Sequence, residues 1–222
     1  MKKKLIIFGN SLMSEIVFYY FKNFSKYSNA EIIFSCDKKF INQKEKLGCE
    51  VVETKKLLKL NKKDFDFFLA IGYSKLNLVR QKFYEYFKRK NFPFINFVHP
   101  NVNNYSSKIG KNNFIMENVS INPYTSLGNN NIIWSSTIIG HHNKVGSHNF
   151  FSGNSTISGN SLIENNCFFG VNSCTKDNIK IKAFSFIDAG EFVNKSLKKY
   201  TFFNSIHNSR DKINTKDLFI IN

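Results

Sequence analysis

The chain is 222 residues long, 42% hydrophobic and 16% aromatic, which supplies apolar surface for one large core or two modest ones. Its formal net charge of +16 reads either as drift in a composition rich in Lys, Asn, Ile and Phe, or as attraction of anions such as pyrophosphates; scattered lysines without a recognised motif argue against a DNA- or RNA-binding module. No apolar run reaches the length of a membrane span, and Cys36, Cys49, Cys167 and Cys174 form neither a CxxC pair nor a zinc spacing with histidine, so a cytoplasmic protein with reduced, mostly buried thiols and no metal is expected.

The opening MKKKLIIFG is basic, but its apolar run ends at Phe8 before Gly9 and Asn10, so residues 4–8 are predicted as a first strand and not a signal peptide. Residues 11–24 read as a helix with Ser11 at its N-cap. Strands follow over 31–36, ending at Asp37, and over 49–52. A further strand over 65–71 ends at Gly72, a basic amphipathic helix spans 75–90, and a last strand at 94–98 precedes His99-Pro100. Alternating strands and helices predict a small Rossmann-like parallel sheet over residues 1–100. Ligands of such sheets lie at the carboxyl ends of strands, here Gly9, Asn10 and Ser11, then Asp37 and Lys38, then Gly72 and Tyr73. Only one glycine of a GxGxxG loop is present; the backbone amides after Gly9 either meet a phosphate or make a tight turn. Asp37 either accepts hydrogen bonds from a uracil or ribose or is a solvated turn residue.

From Ile109 a different rule takes over. Stepping by six gives Ile109, Ile115, Ile121, Leu127, Ile133, Ile139, Val145, Phe151, Ile157, Ile163, Phe169, Thr175, Ile181 and Ile187, and thirteen of these fourteen are large and apolar. Period six matches neither a helix nor a simple strand, but it matches a triangular coil with a short strand on each side. Glycine often follows the apolar residue, as at Gly110, Gly128, Gly140, Gly146 and Gly170. Small or polar residues such as Thr125, Thr137, Ser155, Ser161, Cys167, Ser173 and Ser185 recur four positions after it. Asn is frequent between them, which suits turns of unusual φ. The predicted fold is thus an α/β domain followed by a left-handed parallel β-helix of hexapeptide repeats over 101–195, with a tail at 196–222.

This order of domains resembles the PglD/NeuD-like sugar acyltransferases. The resemblance rests on Ala70-Ile71-Gly72 and the helix containing Arg80, on Val98-His99-Pro100, Ile139-Gly140-His141-His142, Ile157-Ser158-Gly159-Asn160 and Phe169-Gly170-Val171-Asn172-Ser173. It implies a homotrimer in which the front domain holds a nucleotide-linked amino sugar and acetyl-CoA, as co-substrate, lies between neighbouring coils. His141 is then the general base, with His142 beside it in the catalytic set. His148, Phe150, Gly159, Gly170 and Ala189 are the implied CoA contacts. The chain departs from the family pattern at Met13 in the glycine loop, at His142 where an acidic residue is usual, at Phe150 where a histidine is common, and at Phe203-Asn204-Ser205-Ile206-His207 in place of a closing GxPAK segment.

Acylating an amine requires a free nitrogen lone pair, and imidazole is suited to take the proton near neutral pH. A backbone N–H would steady the developing oxyanion. The expected activity is therefore acetyl transfer from acetyl-CoA to the amine of a nucleotide-linked amino sugar of 4-amino-4,6-dideoxy type, for surface glycan synthesis. O-acetylation of a sugar hydroxyl and a non-catalytic nucleotide-sugar-binding trimer are the alternatives. A zinc site like that of a β-helical carbonic anhydrase family, with two ligands five residues apart, is a poor match to His141, His142 and His148, whose separations to His148 are seven and six.

Overall fold

The computed structural model describes residues 3–41 and 43–204. The front domain is built on a five-stranded sheet of order β3-β4-β2-β1-β5, from β1 (Lys4–Phe8), β2 (Ile32–Cys36), β3 (Glu45–Lys46), β4 (Cys49–Glu53) and β5 (Phe65–Leu69). Four strands are parallel; β3 is an antiparallel edge on β4, which the expectation of an all-parallel sheet did not include. The central strands β1, β2 and β5 are apolar and buried on both faces, as covered parallel strands require. Leu5, Ile7, Phe34 and Phe68 pack under α1 (Leu12–Phe24), while Ile6, Phe8, Ile33 and Phe67 pack with Leu57 of α2 (Thr54–Leu57) and Tyr84 and Phe87 of α3 (Leu78–Arg89).

Most boundaries lie within two residues of the predicted ones, with the strand expected over 65–71 ending at Leu69, and two elements differ by more. The helix expected at 75–90 starts only at Leu78, because Lys75, Leu76 and Asn77 have φ of 50°, 50° and 65° and form a left-handed turn first. The strand expected at 94–98 is split: Phe94 bridges to Phe67 of the front sheet, whereas Phe97–Val98 pairs with Phe114–Ile115 as the first rung of the coil.

The coil is a stack of two-residue strands on three flanks, all parallel, as in a left-handed β-helix; from Lys108 to Val193 each strand pairs with the one eighteen residues on, and the step shortens to seventeen at the first rung and sixteen at the last. The first flank runs from Asn103–Asn104 to Phe192–Val193, the second from Lys108–Ile109 to Lys180–Ile181, and the third from Phe97–Val98 to Phe202–Phe203. Strand pairing therefore extends on both sides of residues 101–195. The six-step residues fill the interior, with Ile115, Ile121, Ile133, Ile139, Phe151, Ile157, Ile163, Phe169, Ile181 and Ile187 fully buried. Each such side chain contributes roughly 1.5–3 kcal/mol by leaving water. Every sixth residue from Asn112 to Phe184 has positive φ, and eight of these thirteen are Asn, the non-glycine residue best able to adopt the left-handed region. The residues beyond 204, including most of the expected 196–222 tail, lie outside the described part of the chain.

The front domain rests on the start of the coil. Tyr20 and Phe21 of α1 pack edge-on against Phe97, and Tyr20 also against Phe114, on the third flank. At the corner between second and third flanks, Asn112 Oδ1 accepts from the Leu69 amide at 2.8 Å. Further along the same corner, Asn77 Nδ2 donates to the Cys167 carbonyl and Arg80 to that of Asn149.

Candidate active site

The carboxyl ends of β1, β2 and β5 open into a cavity of about 340 Å³ lined by Gly9, Asn10, Ser11, Asp37 and Gly72, together with Phe8, Cys36, Phe40, Ile71, Ser74, Val79 and Phe83. Gly9 is required here: its φ is 144°, and a Cβ would lie 2.4 Å from the Ala70 carbonyl oxygen. Asn10 Nδ2 donates to the Phe40 carbonyl at 2.7 Å, and Asp37 accepts from Thr54 Oγ1 at 2.7 Å. Burial beside Asp37 pushes the Cys36 thiol up, away from thiolate chemistry. Ser11 stands at the N-cap of α1, but its side chain makes no capping bond. Instead the buried Lys46 from β3 reaches behind this first turn, with Nζ 3.3 Å from the Ser11 carbonyl, 3.1 Å from Ser14 Oγ and 3.1 Å from Glu15 Oε1. Sequence reasoning missed Lys46 because nothing in its local pattern shows the edge hairpin that turns it inward.

Two of the expected substrate contacts lie elsewhere. Lys38 belongs to the short turn Lys38–Phe40 and is exposed, outside the cavity lining. Tyr73 turns toward the coil, where its ring lies 5.0 Å from that of Phe150 and 5.2 Å from that of Phe168.

Tyr73 there borders a second cavity of about 430 Å³, at the corner between third and first flanks, and Phe150, Gly170 and Ala189 line it with Trp134, Gly153, Phe168, Val171, Phe186 and Asp188. Phe150, Phe168 and Phe186 stack along it almost parallel, at 5.2 and 4.6 Å. The Trp134 indole N–H is buried with no hydrogen-bond partner among the described residues. The groove thus offers a flat aromatic wall and a glycine floor, suited to a long, partly apolar ligand.

His148 and Gly159, expected beside Phe150, Gly170 and Ala189, are not in this groove. His148 is buried under α3, where its Nδ1 accepts from Asn130 Nδ2 at 2.8 Å and its ring meets Tyr84 edge-on. Burial, then the charges of Arg80 and Lys88, lower its pKa to about 3, so it is neutral. Its 3.8 Å separation from Glu85 is too long for a hydrogen bond. A role in touching CoA is closed to a side chain covered by another domain. Gly159 lies instead beneath His141: a Cβ there would be 2.6 Å from Cε1, 2.7 Å from Nε2 and 3.0 Å from Nδ1 of that ring.

His141 and His142 occupy the corner between first and second flanks, between Ile138–Ile139 and Lys144–Val145, and both are exposed. The corner is braced from inside: Thr125 Oγ1 donates to the Gly140 carbonyl at 2.6 Å and accepts from the Asn143 amide, while Asn143 Nδ2 donates to the carbonyls of Gly140 and Ser158. The two imidazoles meet at right angles, Nδ1 to Nδ1, at 3.0 Å. His142 takes the left-handed turn position, φ 56°, and its ring lies 4.6 Å from that of Tyr124. Within one chain, then, the histidine pair and the aromatic groove stand on the two edges of the first flank. Among the described residues no group of three His, Cys, Asp or Glu could hold a metal, and no helix is long and apolar enough to cross a membrane.

Residues 4–87 match the PglD N-terminal domain family, and residues 106–141 match the bacterial transferase hexapeptide (six repeats) family. No curated protein sequence matches the chain. Among solved structures it is similar to the acetyltransferase domain of PglB from Neisseria gonorrhoeae in complex with acetyl coenzyme A, at 20% identity and a TM-score of 0.74 over 87% of this chain and 93% of that one. It is also similar to a variant of perosamine N-acetyltransferase from Caulobacter crescentus in complex with CoA and GDP-perosamine, at 20% identity and 0.76 over 89% and 91%. WeeI from Acinetobacter baumannii matches at 15% identity and 0.78 over 89% and 94%. At these identities the likeness is one of fold, and it embraces both domains.

Proposed function

We propose that this chain, which joins a PglD N-terminal domain to bacterial transferase hexapeptide repeats in the order of the PglD/NeuD-like sugar acyltransferases, transfers an acetyl group from acetyl-CoA to the amine of a nucleotide-linked amino sugar. The observation that carries this reading is the convergence of Phe150, Gly170 and Ala189 with Tyr73 in one groove, with His141 on the other edge of the same flank. The N-terminal cavity takes the nucleotide, with its phosphates at the amides after Gly9 and the positive charge of Lys46 behind them. Gly72 lines that cavity and Tyr73 the groove, so a sugar extending past this pair reaches the acyl donor.

The acceptor is a 4-amino-4,6-dideoxy sugar of the kind used in surface glycans, and the site is completed by a homotrimer. If three chains turn their first flanks toward a common axis, the groove of one faces the His141 edge of the next. Ile138 and Phe192, which point outward from that flank and are 42% and 56% exposed, supply apolar contact for such packing. In the reaction the amine nitrogen attacks the thioester carbonyl, a C–N bond forms, and the carbonyl electrons move to oxygen. His141 Nε2 takes the ammonium proton, the C–S bond then breaks, and the proton returns to the CoA thiolate. A general base at such a step contributes roughly 10²–10⁴-fold.

Thiol release from acetyl-CoA with UDP-, dTDP- and GDP-linked 4-amino sugars tests the reading. Turnover is expected with at least one sugar and should fall at least 100-fold in His141→Ala. Turnover only with hydroxyl acceptors would indicate O-acetylation. Nucleotide-sugar binding with neither turnover nor acetyl-CoA binding would indicate a non-catalytic trimer.

A further inference from the structure

We infer that His142 is a positioning residue that sets the tautomer of His141: its bare Nδ1 accepts the proton carried by His141 Nδ1, which leaves His141 Nε2 as the free base. The inference rests on the reading of His141 as the general base, and it assigns to this chain the orienting group that a base histidine needs.

Two ring nitrogens 3.0 Å apart share a single proton, so one donates and the other accepts. For His141 to take a proton at Nε2, its Nδ1 must already carry one, and that N–H needs an acceptor. The hydrogen-bond partner at His141 Nδ1 is the His142 ring. Once Nε2 is protonated, the His141 imidazolium donates the same bond as a cation, which strengthens it. The charged form thereby gains more than the neutral one, the condition for catalysis by an orienting group.

Both rings have neighbours before substrate arrives. His141 lies against Gly159, where any side chain would displace it. The His142 amide donates to the Pro123 carbonyl at 3.1 Å, and its ring packs on Tyr124. The imidazole planes stand at 86° with 3.0 Å between the two Nδ1 atoms, a separation at which one ring's N–H meets the other's lone pair. Unlike a carboxylate, a neutral imidazole brings no charge; it orients the base and can itself be displaced as acceptor if it takes a proton at Nδ1.

The test is ¹⁵N NMR of histidine-labelled full-length protein, with the His141 signals assigned by their loss in His141→Gln, alongside steady-state kinetics. In wild type His141 should show a protonated Nδ1 and a bare Nε2. His142→Gly, whose backbone suits the positive φ, should lose that preference and lower kcat roughly 10- to 100-fold, with KM for acetyl-CoA changed less than about twofold. His142→Glu, which restores an acceptor, should recover most of both. A wild-type His141 protonated at Nε2, or a folded His142→Gly that keeps both tautomer and kcat, would overturn the inference. If wild type transfers acetyl to no acceptor, the proposed function fails, and the NMR result alone judges His142.

Discussion

At the residue scale, two glycines of the coil do different work. Gly170 is needed by the coil itself, since a Cβ would lie 2.4 Å from the backbone nitrogen of Ala189. Gly170→Ala should therefore cost about 1–3 kcal/mol in a urea unfolding experiment. Gly159 meets a side chain instead, and the exposed His141 ring can swing away. Gly159→Ala should leave stability within about 0.5 kcal/mol yet lower kcat roughly tenfold by displacing the proposed base. The signal for this pairing stands in the sequence, because 159 is 141 plus the eighteen residues of one turn; the same step links Tyr124 to His142 and Phe150 to Phe168. His148 shows the limit of such reading. As an outer turn residue it is solvated by rule, and only the arrival of α3 buries it. The unfolded chain protonates this histidine below about pH 6.5, while the folded chain resists until about pH 3. Between those values the unfolded state binds more protons, so acidification destabilises the protein, by up to about 1.4 kcal/mol per pH unit, with no effect above the window. His148→Asn, which continues the Asn112–Asn130 ladder at the same left-handed position, should flatten the dependence of Tm on pH between 6.5 and 5.5, above the range where ordinary carboxylates titrate.

At the element scale, the connection from β5 to α3 decides how the two halves of the site are spaced. Its residues Gly72 and Tyr73 border the N-terminal cavity and the groove, and three consecutive left-handed residues then reverse the chain into α3. Arg80 clamps this turn. Its guanidinium is fully buried, bonded at 3.1 Å to the Gly72 carbonyl and at 3.0 Å to that of Asn149, one residue before Phe150. Burial lowers its pKa to about 9, which still leaves it charged at neutral pH. Arg80→Met should leave both carbonyls without these donors and destabilise the protein by roughly 2–4 kcal/mol, read as a lower urea midpoint. The strands and helices of the front domain were visible as apolar runs. The left-handed turn was not, because Lys75 and Leu76 have no intrinsic preference for positive φ; their conformation is imposed by docking of Leu76, Asn77 and Arg80 on the coil.

At the scale of the whole molecule, the coil presents the histidine pair and the aromatic groove on two edges that a single chain keeps apart. Ile138→Lys together with Phe192→Lys should convert the expected trimer to monomer in sedimentation, with loss of acetyl transfer but retained binding of nucleotide in the N-terminal cavity, which belongs to one chain. A monomeric wild type with full activity would refute the shared site. The sequence by itself determined the coil, because burying one large side chain every six residues is a local, repeating demand that stacking satisfies identically in each turn. It also marked the corners, since eight of the thirteen positive-φ corner residues from Asn112 to Phe184 are Asn. Only the tertiary structure decided which surface residues act together. Tyr73 joins Phe150 and His148 disappears beneath α3 through contacts between segments up to about ninety residues apart, whose meeting depends on how two separately folded cores dock and not on any local pattern.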